Sequence, residues 1–413
     1  MKLTENRFGV WLGSERVGTL NQRGDHVWFT LDPDYIANPR RHILGLIFEN
    51  DPQAPHSSHM KLPPWFSNLL PEGRLREWVA HDRGVKPSRE MELLAHVGHD
   101  LPGAVRVLAE DEPPDSFPEP PLTGRTGTAM EGEPKWRFSL AGVTLKFIMV
   151  ETHGGLTLPA FGEGGDWIVK LPDARFEGVP VNEFTMMKLA SAVGIEVPEI
   201  RLIHRSELPT LPDRAWPSSE EFAFAVRRFD RQGGRREAIH IEDFAQVRNF
   251  YPENEGKYLG EFETVGSFCY RGSDLPSLQE FVRRITYNIT ISNNDAHLKN
   301  WSLIYRDPRN PSLSPAYDLV STAAYAEDRA IRDDMGLKFG GNRDMARQRV
   351  TSFSRLQEKL GVESVDLLDC ALETLRRIQD EWPFVAPLLD DLPRVQGAID
   401  DSIRARAESL IRC

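Results

Sequence analysis

Three oxygen-bearing side chains in the C-terminal half of the sequence have the spacing that phosphoryl transfer needs. Asp295 and Asn300 lie in Ser-Asn-Asn-Asp-Ala-His-Leu-Lys-Asn, and Asp318 follows in Leu-Ser-Pro-Ala-Tyr-Asp. A carboxylate at Asp295 can orient and deprotonate an attacking hydroxyl. An amide five residues on and a second carboxylate a short loop later can hold magnesium against nucleotide phosphates. Magnesium favours hard oxygen ligands and takes one or two carboxylates plus phosphate and water. An isolated Asp-x-x-x-x-Asn is common in solvated loops. Here an amphipathic helical pattern precedes it and an apolar, strand-like run over residues 301–305 follows it.

Other residues fit the same chemistry. Lys170 ends the alternating apolar run Asp-Trp-Ile-Val-Lys, as a strand lysine that pairs nucleotide phosphates would; an exposed strand lysine is the plain alternative. Glu183 follows on the next helix, either as an ion-pair partner of Lys170 or as an ordinary exposed glutamate. Two segments compete to cover the phosphates. The glycines at 154–155 and 162–165 lack the spacing of a dinucleotide or Walker fingerprint. Residues 138–146, Phe-Ser-Leu-Ala-Gly-Val-Thr-Leu-Lys, lie one strand before Lys170, and their small side chains let backbone N–H groups approach phosphate oxygens. His297 has no second ligand at zinc spacing and reads as a hydrogen-bonding support of its loop. His56 and His59 sit in a polar, proline-bearing stretch and read as incidental.

The elements that must position these groups are legible as patterns. Residues 8–12, 17–20 and 27–31 read as strands, with Gly13-Ser14 as the first turn. A turn over 65–70 leads to a helix over 74–81, and a second helix over 91–97 stops at Gly98. Residues 111–134 are rich in Pro, Gly, Glu and Asp and predict an extended connection. Strands are expected over 136–149, 166–171 and 222–229, with a helix over 181–193 ended by Gly194. From about residue 240 the pattern turns helical. Ser277 and Glu280 have the form of a capping box. Leu278, Phe281, Val282, Ile285 and Ile289 then recur at helical spacing and deliver the chain into the Asp295 loop. A later amphipathic helix carries Leu367, Leu368, Ala371, Leu372, Leu375 and Ile378. The resulting division is 1–110, a connection over 111–135, a strand-rich lobe over 136–232 and a helical lobe over 233–413.

The 413-residue chain has ordinary apolar and charged fractions for a globular protein. No apolar run approaches the roughly 20 residues that span a bilayer, and the charged start, Met-Lys-Leu-Thr-Glu-Asn-Arg, does not resemble a signal peptide. Cys269, Cys370 and Cys413 are scattered, which suits a reducing cytoplasm and gives neither a disulfide framework nor a zinc pattern. Cys370 falls among helical apolar residues and reads as packing. The net charge of -12 argues against autonomous nucleic-acid binding and leaves a basic partner protein open.

Taken together, the motifs resemble the HipA family, the serine/threonine kinase toxins of bacterial toxin–antitoxin pairs. Asn68-Leu-Leu-Pro-Glu-Gly73 and Leu94-Ala-His-Val-Gly-His-Asp100 resemble its N-terminal signatures. Ser139-Leu-Ala-Gly142 resembles its phosphate loop, Ile168-Val-Lys-Leu-Pro172 and Asn182-Glu-Phe184 its lobe core, and Arg228-Phe-Asp-Arg231 its hinge. His240-Ile-Glu-Asp-Phe244 resembles the start of its C-lobe. Asn294–Asn300 and Leu313–Leu319 resemble its catalytic and metal motifs.

The resemblance implies an α+β, two-lobed protein-kinase-like fold, related to lipid and atypical kinases, with an N-terminal mixed α/β subdomain. It implies ATP and Mg2+ as cosubstrate and cofactor, Asp295 as catalytic base, and Asn300 and Asp318 as metal ligands. ATP contacts would come from Ser139, Ala141, Gly142, Val143, Thr144, Lys170, Arg227, Phe229, His297 and Lys299, with Glu183 in support. Ser139 matches the family's autophosphorylated serine. An aminoacyl-tRNA synthetase is the implied target, with arrest of translation and growth as the outcome. A HipB-like helix-turn-helix antitoxin, and through it operator DNA, is the implied partner. Thr144 stands where the family often has Gln, and Arg227 where an acidic hinge residue is usual. The alternatives are a small-molecule kinase and a catalytically idle corepressor.

Overall fold

The computed structural model describes residues 5–110, 146–152, 155–157, 164–209, 211, 215–216, 218–232, 237–253, 256–326 and 334–412. An antiparallel sheet opens the chain: β1 (Glu5–Leu12), β2 (Glu15–Arg23), β3 (His26–Leu31), β4 (His56–His59) and β5 (Val105–Ala109), in the order β4-β3-β2-β1-β5. Its first two hairpins are closed by two residues each, led by Gly13 and Gly24, both at φ 60. That conformation at the first turn position is the one glycine adopts most cheaply, and it matches the strand twist. Helices α1 (Pro64–Ser67), α2 (Gly73–Arg83) and α3 (Glu90–Val97) belong to the same layer. Phe66, Leu69 and Leu94 join Val10, Leu20 and Phe29 in its core. The expected turn over 65–70 thus contains a short helix, which Pro64 starts.

A second antiparallel sheet has the order β7-β6-β8-β10-β9. Its strands are β6 (Lys146–Thr152), β7 (Gly155–Thr157), β8 (Trp167–Lys170), β9 (Ile200–His204) and β10 (Phe222–Arg227). Alternation assigns its two faces. Phe147, Met149, Trp167, Val169 and Ala225 join the core of the first sheet. Ile168, Phe224 and Val226 pack with Met186, Met187 and Leu189 of α4 (Val179–Ala192). The expected strand over 136–149 is described only from Lys146. The strand over 222–229 ends at Arg227, because Arg228 turns its guanidinium inward to Asp100 and Asp230. Strands β7 and β9 were not expected.

The remaining part is helical but opens with a small sheet, which corrects the expectation of helix from residue 240. Strand β11 (Ile241–Asp243) pairs with β12 (Ser302–Ile304), and β12 with β13 (Ser312–Leu313). Helices α5 (Phe262–Cys269) and α6 (Leu275–Thr290) lie between β11 and β12; β14 (Asp334–Phe339), α7 (Thr351–Leu360), α8 (Leu367–Val385) and α9 (Pro393–Ile411) follow. The Ser277–Glu280 capping box does not form. Asp274 caps α6 instead, accepting from the Ser277 backbone at 3.0 Å and its hydroxyl at 2.6 Å. An ionised carboxylate outcompetes a hydroxyl as a cap acceptor, and Pro276 fits the first turn. Glu280 is taken by Arg283 and Arg284, each at 2.9 Å. Leu278, Phe281, Val282, Ile285 and Ile289 are all buried, as their spacing predicts. Each contributes about 1.5–3 kcal/mol relative to exposure, which fixes the helix that feeds the Asp295 loop. Tyr287 of α6 donates to the Met186 carbonyl of α4 at 2.6 Å and joins the two lobes.

No described helix is long and apolar enough to cross a membrane. Cys370 is partly buried against the helical core, consistent with a packing role.

Candidate active site

Lys170 is the last residue of β8 and stands opposite Lys146 in the β6–β8 register. Directly paired strand residues share a face, so two ammonium groups enter one cleft side by side. Helix α4 brings Glu183 to Lys170, and Asp318 meets Lys170 from the other lobe. Lys146 Nζ lies 3.5 Å from Asp318 Oδ2. The exposed-residue alternatives for Lys170 and Glu183 therefore fail: both are buried and paired. Burial alone would lower the pKa of Lys170, but the Asp318 and Glu183 carboxylates outweigh it and hold it above the ordinary value. Burial opposes ionisation of Asp318 too, yet the two ammonium groups keep its carboxyl well below the usual range. Burial pulls the pKa of Lys146 down despite Asp318.

Asp318 has φ 55, a left-handed conformation that costs a non-glycine residue about 1–2 kcal/mol. Its surroundings impose it. Tyr317 is bonded to the Lys299 carbonyl at 2.9 Å, and Asn182 grips Ser321 through both its backbone N–H and its carbonyl. This bend carries the carboxylate into the cleft.

Asp295 is set by its neighbours on the loop. Its backbone N–H donates to Asn293 Oδ1 at 3.2 Å, and its carbonyl accepts from Asn300 Nδ2 at 2.8 Å. That bond commits the amide nitrogen of Asn300 and leaves its oxygen for a cation. Tyr258 donates to Asp295 Oδ1 at 2.8 Å. Lys170, Asp295, Asn300 and Asp318 all line one cleft of about 250 Å3, together with Lys146, Glu183 and the 226–230 hinge. Among the described residues no cluster of three or more His, Cys, Asp or Glu could hold a metal alone. One carboxylate and one amide suit magnesium, which draws its other ligands from phosphate and water.

Three expected contacts differ in detail. The His297 ring makes no hydrogen bond that supports the loop: Nε2 lies 3.8 Å from Asp295 Oδ1, and Nδ1 is buried with no partner among the described residues. Burial lowers its pKa. It supports the loop through backbone bonds to Asp295 and Asn300 and by edge packing on Tyr258. Lys299 lines the cleft, but its ammonium is committed to the Asn68 carbonyl at 2.9 Å, Asn68 Oδ1 and Asp243 Oδ2 at 3.1 Å, and Glu72 Oε1 at 3.4 Å. It braces the loop. Arg227 sends its guanidinium outward to Glu199 at 3.1 Å, leaving its backbone at the cleft, while Phe229 packs 5.6 Å from the Tyr317 ring. Ser139, Ala141, Gly142, Val143 and Thr144 lie outside the described residues, as does the 111–134 connection.

Sequence reasoning missed Lys146, Tyr258, Asn293 and the wall contributed by Asn68, Leu69, Glu72 and Pro102. The signal for Lys146 was present: a lysine one strand before Lys170. Asn68, Leu69 and Glu72 fall in the 68–73 motif, but nothing in it marks them as a wall of the cleft, and Tyr258 meets Asp295 from 37 residues away.

Residues 8–108 match the HipA N-terminal domain and residues 138–382 the HipA-like C-terminal domain. Two Sinorhizobium fredii proteins whose names carry the word kinase match nearly end to end. Y4dM is 40% identical over 403 residues, covering 95% of each chain; Y4mE is 28% identical over 439 residues, covering 98% of this chain and 99% of its own. The serine/threonine-protein kinase toxin HipA of Shewanella oneidensis is 25% identical over 293 residues, 63% of each chain. A solved Shewanella oneidensis complex of HipA, HipB and its operator DNA contains a chain that superimposes with a TM-score of 0.74 over 98% of this chain and 97% of that one, at 20% identity. The chain belongs to the HipA-like kinase family and has its α+β kinase-like fold.

Proposed function

We propose that the protein transfers the γ-phosphate of ATP to a serine or threonine hydroxyl of another protein. The observation that carries this reading is the convergence of Lys170, Glu183, Asp318, Asp295 and Asn300 on one cleft. Lys170, fixed by Glu183, serves the nucleotide phosphates, with Lys146 adding a second positive charge. Asp295 takes the proton of the acceptor hydroxyl as its oxygen bonds to phosphorus. Asn300 and Asp318 would hold Mg2+, which neutralises phosphate charge when bound. The backbone at 227–229 borders the base. Such chemistry depends on positioning and charge neutralisation. Asp295→Ala and Asp318→Ala should each abolish transfer of label from ATP while the protein stays folded. Transfer retained by a folded Asp295→Ala protein refutes the role of that carboxylate.

The reading extends to the surroundings of the reaction. Ser139, which resembles the family's autophosphorylated serine, is proposed as a site of autophosphorylation: a phosphate adds about -1.5 to -2 charges, and the added charge would repel ATP. A HipB-like helix-turn-helix antitoxin is the proposed partner, since the Shewanella relative was solved with HipB and operator DNA. An aminoacyl-tRNA synthetase is the proposed acceptor. Phosphoproteomics after controlled expression, wild type against Asp295→Ala, identifies the acceptor; label found only in metabolites refutes a protein acceptor.

A further inference from the structure

The side chain of Asp295 is 54% exposed, yet its Oδ1 is held. The holder is Tyr258, whose hydroxyl donates at 2.8 Å from a position 37 residues earlier in the chain. An exposed carboxylate with no fixed partner samples several rotamers, whereas a working base must be held within about 0.5 Å of its productive position. Tyr258 can supply that restraint because it is itself fixed. It ends the short turn Gly256–Tyr258. Its carbonyl is gripped by Arg343, and its ring packs edge-on against His297 with centroids 5.1 Å apart. Its neighbour Lys257 is anchored 3.0 Å from Glu72 Oε2 in the N-terminal layer. Burial, reinforced by the Asp295 charge, pushes the phenol pKa well above its ordinary value, so the group remains a donor.

We propose that Tyr258 is a positioning residue for the base: its phenol clamps Oδ1 of Asp295 and leaves Oδ2 to receive the acceptor proton. The inference rests on Asp295 being that base. In the step, the acceptor O–H bond breaks and its proton passes to Oδ2. The acceptor oxygen bonds to the γ-phosphorus as the bond from phosphorus to the bridging oxygen of ADP breaks. Tyr258 keeps its proton throughout. The clamp acts on the carboxylate and not on the nucleotide, so it bears on turnover and not on ATP affinity.

The test is Tyr258→Phe, which keeps the ring and its packing on His297 and removes only the donor. Wild type, Tyr258→Phe and Asp295→Ala are compared for transfer of labelled γ-phosphate to myelin basic protein, with ATP varied, and for thermal melting. A misplacement near 1 Å costs about 100-fold, so kcat for Tyr258→Phe should fall about 10- to 100-fold. KM for ATP should stay within about twofold and the melting temperature should not move. Wild-type kcat in Tyr258→Phe, or a higher one, overturns the proposal while leaving Asp295 as base, provided Asp295→Ala is inactive. A lowered melting temperature with a proportionate loss of active protein also overturns it, because the phenol would then be merely structural. Transfer retained by Asp295→Ala overturns both the proposal and the reading beneath it.

Discussion

Glu242 makes the sharpest prediction about stability. It lies on β11, fully buried where the N-terminal layer meets the helical lobe. It accepts from the Leu46 backbone at 3.0 Å, from Trp65 Nε1 at 3.3 Å and from the Tyr305 hydroxyl. Among the described residues all three partners are donors and none is a cation. Burial therefore dominates, and the carboxyl is pushed from its ordinary 4.5 to about 7, against the pull of those hydrogen bonds. His240, two residues back and just before the strand, is itself kept neutral: burial lowers its pKa to about 4. A raised carboxyl pKa means that the folded state binds the proton more tightly than the unfolded chain. The associated stability is fully present below about pH 4.5 and is lost as pH rises to about 7. At about 1.4 kcal/mol per unit, wild type should lose about 2–3 kcal/mol between pH 5 and pH 8 through this group alone. Glu242→Gln cannot titrate. Its amide nitrogen meets donors and costs about 1–3 kcal/mol, but at every pH alike. Urea unfolding of both proteins at pH 5 and pH 8 isolates the effect, since other groups cancel in the comparison. The stability difference, wild type minus variant, should shrink by about 2–3 kcal/mol across that range. A difference that does not change with pH refutes the protonation of buried Glu242.

Asp230 pairs with Arg228 and Arg231 and accepts from Gly103 N. Asp230→Ala leaves the buried guanidinium groups of Arg228 and Arg231 to share Asp100 and should cost about 3–5 kcal/mol in urea unfolding. Lys146→Met should raise KM for ATP about tenfold, equivalent to about 1.4 kcal/mol, with little change in folding; unchanged KM removes Lys146 from the phosphate site. A Cβ on Gly336 would lie 2.6 Å from the Ala296 carbonyl carbon and 2.8 Å from His297 N. Gly336→Ala should therefore push the Asp295 loop aside and lower kcat about 10- to 100-fold, with loss of stability measurable by thermal melting.

Periodicity found what is locally determined. Helix α6 was legible because its apolar residues repeat at helical spacing, and β1 to β3 because alternation and glycine turns coincide. The cap of α6 was misread because two plausible signals overlapped within a few residues, and the side chain of Asp274 took the Ser277 N–H. Strand β9 was missed because its short Ile-Arg-Leu-Ile-His run stands out only against its partner β10. The oxygen set of Asp295, Asn300 and Asp318 was legible from spacing and chemistry. The clamp on Asp295, the double lysine at Asp318 and the commitment of Lys299 were not. Each depends on residues tens to hundreds of positions apart, and a sequence shows no such adjacency until the chain has packed.

Among the described residues, three of the four oxygens around the Lys299 ammonium belong to Asn68 and Glu72, residues translated long before the loop they steady. The chain therefore resists dissection into a minimal catalytic fragment. A piece beginning after residue 110 would keep Lys146, Lys170, Glu183, Asp295, Asn300 and Asp318, yet it would leave the buried Lys299 ammonium with Asp243 alone and lose one wall of the cleft. During synthesis the same order works in the protein's favour, because the supporting wall leaves the ribosome before the Asp295 loop.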